Sequence, residues 1–320
     1  MSEARHGRLG AAMWLALAIV LGLSAPPAAL AADPVAVFTE IRPGKGEIRV
    51  KRAEDSDWTV PRALQALRAG DQVRVTADGR ATVTFTGGGT QAVTAANSPF
   101  TVAAPRGETG TDRAKGLVAG VTQFLLGQPK PPTYQALSVR SGSPPPRILT
   151  PRETRVMPGP VTFEWTGPPR PDYSIRVLDP QGPVWEQAGV PRRPLPYPAS
   201  APALAPGGRY RWTLEAPGQP AQESGFDVLA EGDAARIRAA LADLASSGEA
   251  GSPSALVRAG LFFREGLYAD ARRELTTAIA QDPDEPTLRQ LLGYVYDRVG
   301  LVDLAAQEFD EAEFLATRKP

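Results

Sequence analysis

The residues that could do chemistry are few. The chain has 320 residues, no cysteine and one histidine, His6. Without a thiol there is no cysteine nucleophile and no disulfide. His6 lies in an amino-terminal segment that reads as cleavable, so the mature chain is left without a Ser-His-Asp triad or a histidine metal site. Carboxylates remain, and a pair of them can cleave a glycosidic bond as acid and base or nucleophile. The densest groups are "DSD" at 55 to 57 and "DPDE" at 282 to 285. A turn accounts for the first and a helix start for the second. "TGGGT" at 86 to 90 lacks the Lys-Ser/Thr and the following helix of a phosphate loop, and reads as a turn. The expectation is a non-enzyme with no catalytic residue, no cofactor and no metal ligand.

Charge points to no polyanionic partner. Lys+Arg and Asp+Glu each number 35, so neither nucleic acid nor an anionic membrane is attracted by net charge. At the amino terminus Arg5 and Arg8 precede a 14-residue apolar run, Gly10 to Leu23, and a small-residue end, Ala29-Leu30-Ala31. This is the three-part pattern of a secretory signal peptide, spanning 1–31 with cleavage after Ala31 or Ala32. The run is shorter than the ~20 apolar residues a bilayer needs, so no stable membrane span is expected after cleavage, although a retained anchor stays open. The localisation that follows is the periplasm or cell envelope.

The elements that would position a binding site begin at residue 33. Two-residue alternation marks half-buried strands at Ile48 and Val50, Val73 and Val75, and Val83 and Phe85. Turn residues at 69–71, 77–79 and 86–90 separate them. The stretch "GEIRVKRAEDSDWTV … LRAGDQVRVTADGRATVTFTGGGTQAVTAANSPFTV" resembles the FecR domain, with Gly46, Trp58, Gly70, Asp71, Gly79, Ala81, Phe85 and Asn97 at the family's motif positions. The resemblance covers about 44–103. It implies a periplasmic β domain of the kind that relays a signal from an outer-membrane receptor to a cytoplasmic sigma factor. Only about nine residues precede the apolar run, so the cytoplasmic part that touches a sigma factor is not expected here.

Residues 106–147 read as a connector. Its one helix falls on "KGLVAGVTQFLLG", where Leu117, Val118, Val121, Phe124 and Leu125 follow helical spacing; packing against a neighbouring sheet is expected. Proline-rich linker follows at 128–147, which predicts that 148–320 folds separately. From 148 to 230 the two-residue alternation returns with aromatics, including Phe163, Trp165, Tyr173, Tyr210, Trp212 and Phe226. The pattern resembles immunoglobulin or fibronectin-III modules and predicts a small antiparallel sandwich with Trp165 and Trp212 in its core.

The last region repeats. A shift of 34 residues places Gly266 on Gly300, Ala271 on Ala305, Leu275 on Phe309 and Ala278 on Ala312, and 34 is the period of tetratricopeptide repeats. The region 232–317 is therefore read as a half repeat, marked by Gly232, Ile237, Leu241 and Leu244, followed by two tetratricopeptide-type repeats. Arg258 stands where the first repeat's leucine belongs. Stacked helix pairs form a concave face lined by first-helix side chains. By the family's geometry, that face is carried here by Leu256, Phe263 and Arg264 in the first repeat. Gln290, Tyr294, Asp297 and Arg298 carry it in the second.

The fold class that follows is multidomain: two small all-β domains, FecR-like at 33–105 and an antiparallel β-sandwich at 148–230, then an all-α repeat array. The function that follows is a non-catalytic binding or scaffold protein of the bacterial envelope. Its expected partner is another envelope protein or peptide at the repeat groove, with cell-wall polysaccharide as a second class of ligand at the β domains. Two alternatives stay open: a FecR-type signalling regulator without its cytoplasmic part, and a carboxylate-based enzyme acting on polysaccharide.

Overall fold

The computed structural model describes residues 33–104, 113–132, 145–168, 172–190, 194–246 and 250–318. The expected signal peptide and most of the proline-rich linker lie outside these residues. A β-rich amino-terminal part gives way to a helical carboxy-terminal part, and Asp33–Pro320 cluster as one compact unit.

Seven strands build the first β region: β1 (Ala36–Arg42), β2 (Ile48–Lys51), β3 (Ala66–Leu67), β4 (Gln72–Val75), β5 (Arg80–Phe85), β6 (Thr90–Thr94) and β7 (Phe100–Thr101). They pair antiparallel into a four-stranded sheet, β3-β1-β5-β6, and a three-stranded sheet, β2-β4-β7. The alternating residues Ile48, Val50, Val73, Val75 and Val83 turn inward onto Phe38 and Val93. β1 does not alternate: all of its residues but Arg42 are buried. One of its faces belongs to this core, and the other meets the helices described below.

Helix α1 (Arg113–Leu126) follows. The second β region has β8 (Arg147–Thr150), β9 (Thr154–Val156), β10 (Thr162–Thr166), β11 (Tyr173–Asp179), β12 (Gly182–Val190), β13 (Leu195–Pro196), β14 (Arg209–Glu215) and β15 (Gln222–Val228). A five-stranded sheet, β12-β11-β14-β15-β9, faces a three-stranded one, β13-β10-β8. All pairs are antiparallel except β15 with β9. Trp212 is fully buried and its ring meets Phe163 edge-on at 4.8 Å. Trp165 is 4 % exposed, so both tryptophans are core residues and their ring faces are closed to a ligand.

Five helices complete the chain: α2 (Glu231–Ser246), α3 (Gly251–Arg264), α4 (Tyr268–Gln281), α5 (Pro286–Arg298) and α6 (Val302–Thr317). α3 pairs with α4 and α5 with α6, each pair turning at a glycine in the left-handed region, Gly266 at φ +78° and Gly300 at φ +73°. A side chain there would strain the backbone. The 34-residue spacing therefore returns as two hairpins of like build. Ala271, Leu275, Ala305 and Phe309 pack between the helices. Arg258 replaces a packing leucine with an ion pair, its Nε donating to Glu274 on α4 at 2.8 Å.

The expected separation of 148–320 from the first β region does not hold. β1 packs on α3 and α5, and α1 packs on α2 and α3 as well as on β1 and β5. The expected packing of α1 against a neighbouring sheet is found in part, since α1 touches β1 and β5, but its apolar stripe seats mainly on helices.

Candidate binding face of the helical array

The first helices of the two hairpins present the seven residues expected to meet a partner, and the chain itself already occupies much of that face. α1 lies across α3. Val121 fits against Gly260, where an added Cβ would come within 2.6 Å of a Val121 methyl. Phe124 meets Phe263 edge-on at 5.3 Å. Beyond the end of α1 the chain turns at Gly127 and Gln128 and reaches α5, where the Tyr294 hydroxyl donates to the Pro129 carbonyl at 2.9 Å. Leu256 (0 %), Phe263 (3 %), Gln290 (8 %) and Tyr294 (9 %) are consequently buried. Burial also pushes the Tyr294 hydroxyl above the usual phenol range.

Three of the seven remain at the rim. Arg298 is exposed and its guanidinium lies 5.8 Å from the centre of the Phe263 ring. Arg264, half-buried at the end of α3, donates to Glu265 at 3.2 Å, and Asp297, in the last turn of α5, is half-buried. The predicted face thus divides into a floor closed in cis and a charged, accessible edge.

Two further edges of the array are held by the β regions. At the inter-hairpin loop, Glu285 is the N-cap of α5, followed by Pro286 at the first helical position. It is fully buried. Its Oε1 accepts from the Thr287 amide at 3.1 Å, the Thr287 hydroxyl at 2.8 Å and the Ile41 amide of β1 at 3.1 Å. The same Thr287 hydroxyl lies 3.0 Å from the Thr39 carbonyl, and its single proton serves either that carbonyl or Glu285 at a time. Around this contact, Glu40 bonds Arg42 at 3.1 Å and Arg80 at 3.2 Å, while Arg42 also pairs with Asp282. Burial, reinforced by the charge of Glu40, pushes the Glu285 carboxyl up to about 8, against the pull of its amide and hydroxyl donors. Two carboxyls with one raised pKa could suggest acid-base catalysis. Here both are buried in the seam between β1 and α5 of the same chain.

At the other edge the stretch from Arg152 into β9 meets both glycine turns. The Arg155 amide donates to the Gly266 carbonyl at 2.9 Å, and Arg152 Nε donates to the Val299 carbonyl, next to Gly300, at 2.7 Å. Two arginines three residues apart therefore cap two turns 34 residues apart. An open cleft of about 600 Å³ lies beside this contact, with Arg155, Arg209, Arg211, Asp179, Asp227 and Tyr268 among its lining. Its arginines and acids are interspersed, so it offers no single-sign field to a ligand. Among the described residues no cluster of three or more His, Asp or Glu could hold a metal ion, and no helix is long and apolar enough to cross a membrane.

Sequence reasoning missed Glu285, Thr287, Arg152 and Arg155 as contact residues. The acid-proline step at 285–286 signals a helix cap, but its partner amide lies 244 residues away, beyond any local pattern.

Compared with known families, residues 163–309 match a domain of unknown function, DUF928. The match runs from β10 into α6 and so crosses the boundary expected near 230. No curated protein matches the chain.

Proposed function

We infer that this chain is a non-catalytic binding or scaffold protein of the bacterial cell envelope, exported by its amino-terminal signal peptide. In this reading a FecR-like domain and an immunoglobulin- or fibronectin-like domain flank a tetratricopeptide-type array, and a partner protein engages the rim of the array. The observation that carries the reading is the pair of glycine-turned hairpins repeating at 34 residues, whose face already holds a helix and a proline-containing segment of the same chain. A face that accepts this kind of segment in cis has the chemistry to accept one in trans. Arg298, Arg264 and Asp297 then supply the accessible contacts, with Arg298 as an anchor of the type enriched in hot spots.

The test is co-purification from envelope extract on immobilised mature chain, comparing wild type with Arg298→Glu. A protein retained by the wild type and depleted by the variant supports the reading. Retention of no protein above background by the wild type overturns it.

A further inference from the structure

The solvent side of the β2-β4-β7 sheet breaks a rule of sheet design. Arg49 on β2 stands directly opposite Arg74 on β4, and like charges in that position repel. Lys51 projects from the same side, two residues along β2. Arg49 is offset by Glu47, whose carboxylate it meets at 3.2 Å. Lys51 and Arg74 have no carboxylate partner among the described residues. What they share is Trp58, whose half-buried ring has the Arg74 guanidinium at 4.1 Å and the Lys51 ammonium at 5.6 Å from its centre. Trp58 is placed there by the return of the chain beside β2, where Val50 and Thr59 exchange backbone hydrogen bonds at 2.8 Å. Val60, two residues on, is one of only three large apolar side chains exposed among the described residues. Asp55 and Asp57 are exposed in the bend before Trp58, and neither bonds Lys51 or Arg74.

We propose that this sheet face, built on Trp58, Lys51 and Arg74 with Val60 at its margin, binds an anionic polysaccharide. The Arg74 guanidinium covers a face of the half-buried indole, so the part of the ring left accessible and the exposed Val60 supply apolar contact to a sugar ring beside the two cations. Two cations that share an indole but have no carboxylate partner among the described residues supply charge complementarity to carboxylates spaced along the polymer. The repulsion between Arg49 and Arg74 is then relieved by the ligand, the pattern expected where a local rule is broken at a functional site. This deepens the envelope reading by naming a ligand class at the first β region, and it does not depend on the rim of the array.

The experiment uses the purified full mature chain in affinity electrophoresis with three polymers: a uronate polysaccharide, neutral dextran and poly-L-glutamate. Retardation by the uronate polymer, weakened by salt, with none by dextran, is expected. Lys51→Gln/Arg74→Gln should weaken uronate binding about tenfold or more, equivalent to about 1.4 kcal/mol, with its melting temperature unchanged or raised because the like-charge pair is gone. Trp58→Ala, checked for folding by its far-UV spectrum, should weaken binding similarly. The proposal is overturned if uronate polymer fails to retard the wild type, or if the double variant binds as tightly. Equal binding of poly-L-glutamate also overturns it and assigns the face to acidic polypeptide. Because only purified components are used, none of these failures bears on whether an envelope protein is retained at Arg298.

Discussion

Replacing Glu285 by glutamine should change how the stability of this protein responds to pH. Three donors, the Ile41 amide and the amide and hydroxyl of Thr287, converge on Oε1, while Oε2 has only the Ile41 amide at 3.1 Å and Arg42 at 4.0 Å. A neutral carboxyl with its proton on Oε2 therefore keeps these donors satisfied, and a glutamine whose oxygen replaces Oε1 does the same. The folded pKa of about 8 lies above the ordinary value of 4.5. A raised acid binds its proton more tightly in the folded state. Its contribution is therefore fully present below pH 4.5 and is lost as pH rises through about 8. At about 1.4 kcal/mol per pH unit the loss is of order 3–5 kcal/mol, carried by the seam between β1 and α5. In a cooperative unit of this size a kilocalorie moves the melting temperature by roughly 2 °C. Melting curves between pH 5 and 9 should show wild type losing roughly 5–10 °C relative to Glu285→Gln, the two nearly coinciding at pH 5. Parallel curves across that range would refute the assignment of a neutral buried carboxyl. Glu285→Ala is the harsher change, leaving two buried amides without an acceptor at ~1–3 kcal/mol each at any pH.

Further outcomes follow from the same contacts. Gly260→Ala places a methyl into Val121; it should destabilise by ~1–3 kcal/mol, and hydrogen exchange should localise the loosening to α1. Arg152→Ala removes the donor to the Val299 carbonyl and should cost roughly 1–2 kcal/mol, read by urea denaturation; an unchanged midpoint would mean water replaces it. Residues 148–320 expressed alone lack both β1 and α1, so Leu256 and Phe263 lose their covers and Thr287 loses its acceptor on Thr39. A poorly soluble or molten product is expected, and a sharp two-state melt would show the seam to be dispensable. Ala305, fully buried, should tolerate leucine poorly, at roughly 1–3 kcal/mol by thermal melting.

The legible parts of the fold were those whose pattern is local. Strands with one wet face, such as β4 with its buried Val73 and Val75 and exposed Arg74, betray themselves by alternation. The hairpins betray themselves by two glycines that must adopt positive φ. β1 was invisible for the converse reason: covered on both sides, it carries Thr39 and Glu40 at buried positions and shows no period of two. The residues expected to line the first-helix face do lie on α3 and α5. Its filling by α1 was not legible, because seating Val121 on Gly260 depends on bringing together segments 139 residues apart. For the same reason Tyr294, expected on the partner-facing side, belongs to the packed interior, and its alanine variant should lower stability as well as any affinity.

The central claim is that a partner protein engages the rim of the array, and the most direct measurement is site-specific photo-crosslinking in the intact envelope. A photoreactive residue at position 298 should give one discrete protein adduct, identified by mass spectrometry. The same residue at Asp179, on the second β region, should not. No adduct from position 298, or the same adduct from both positions, would contradict the account.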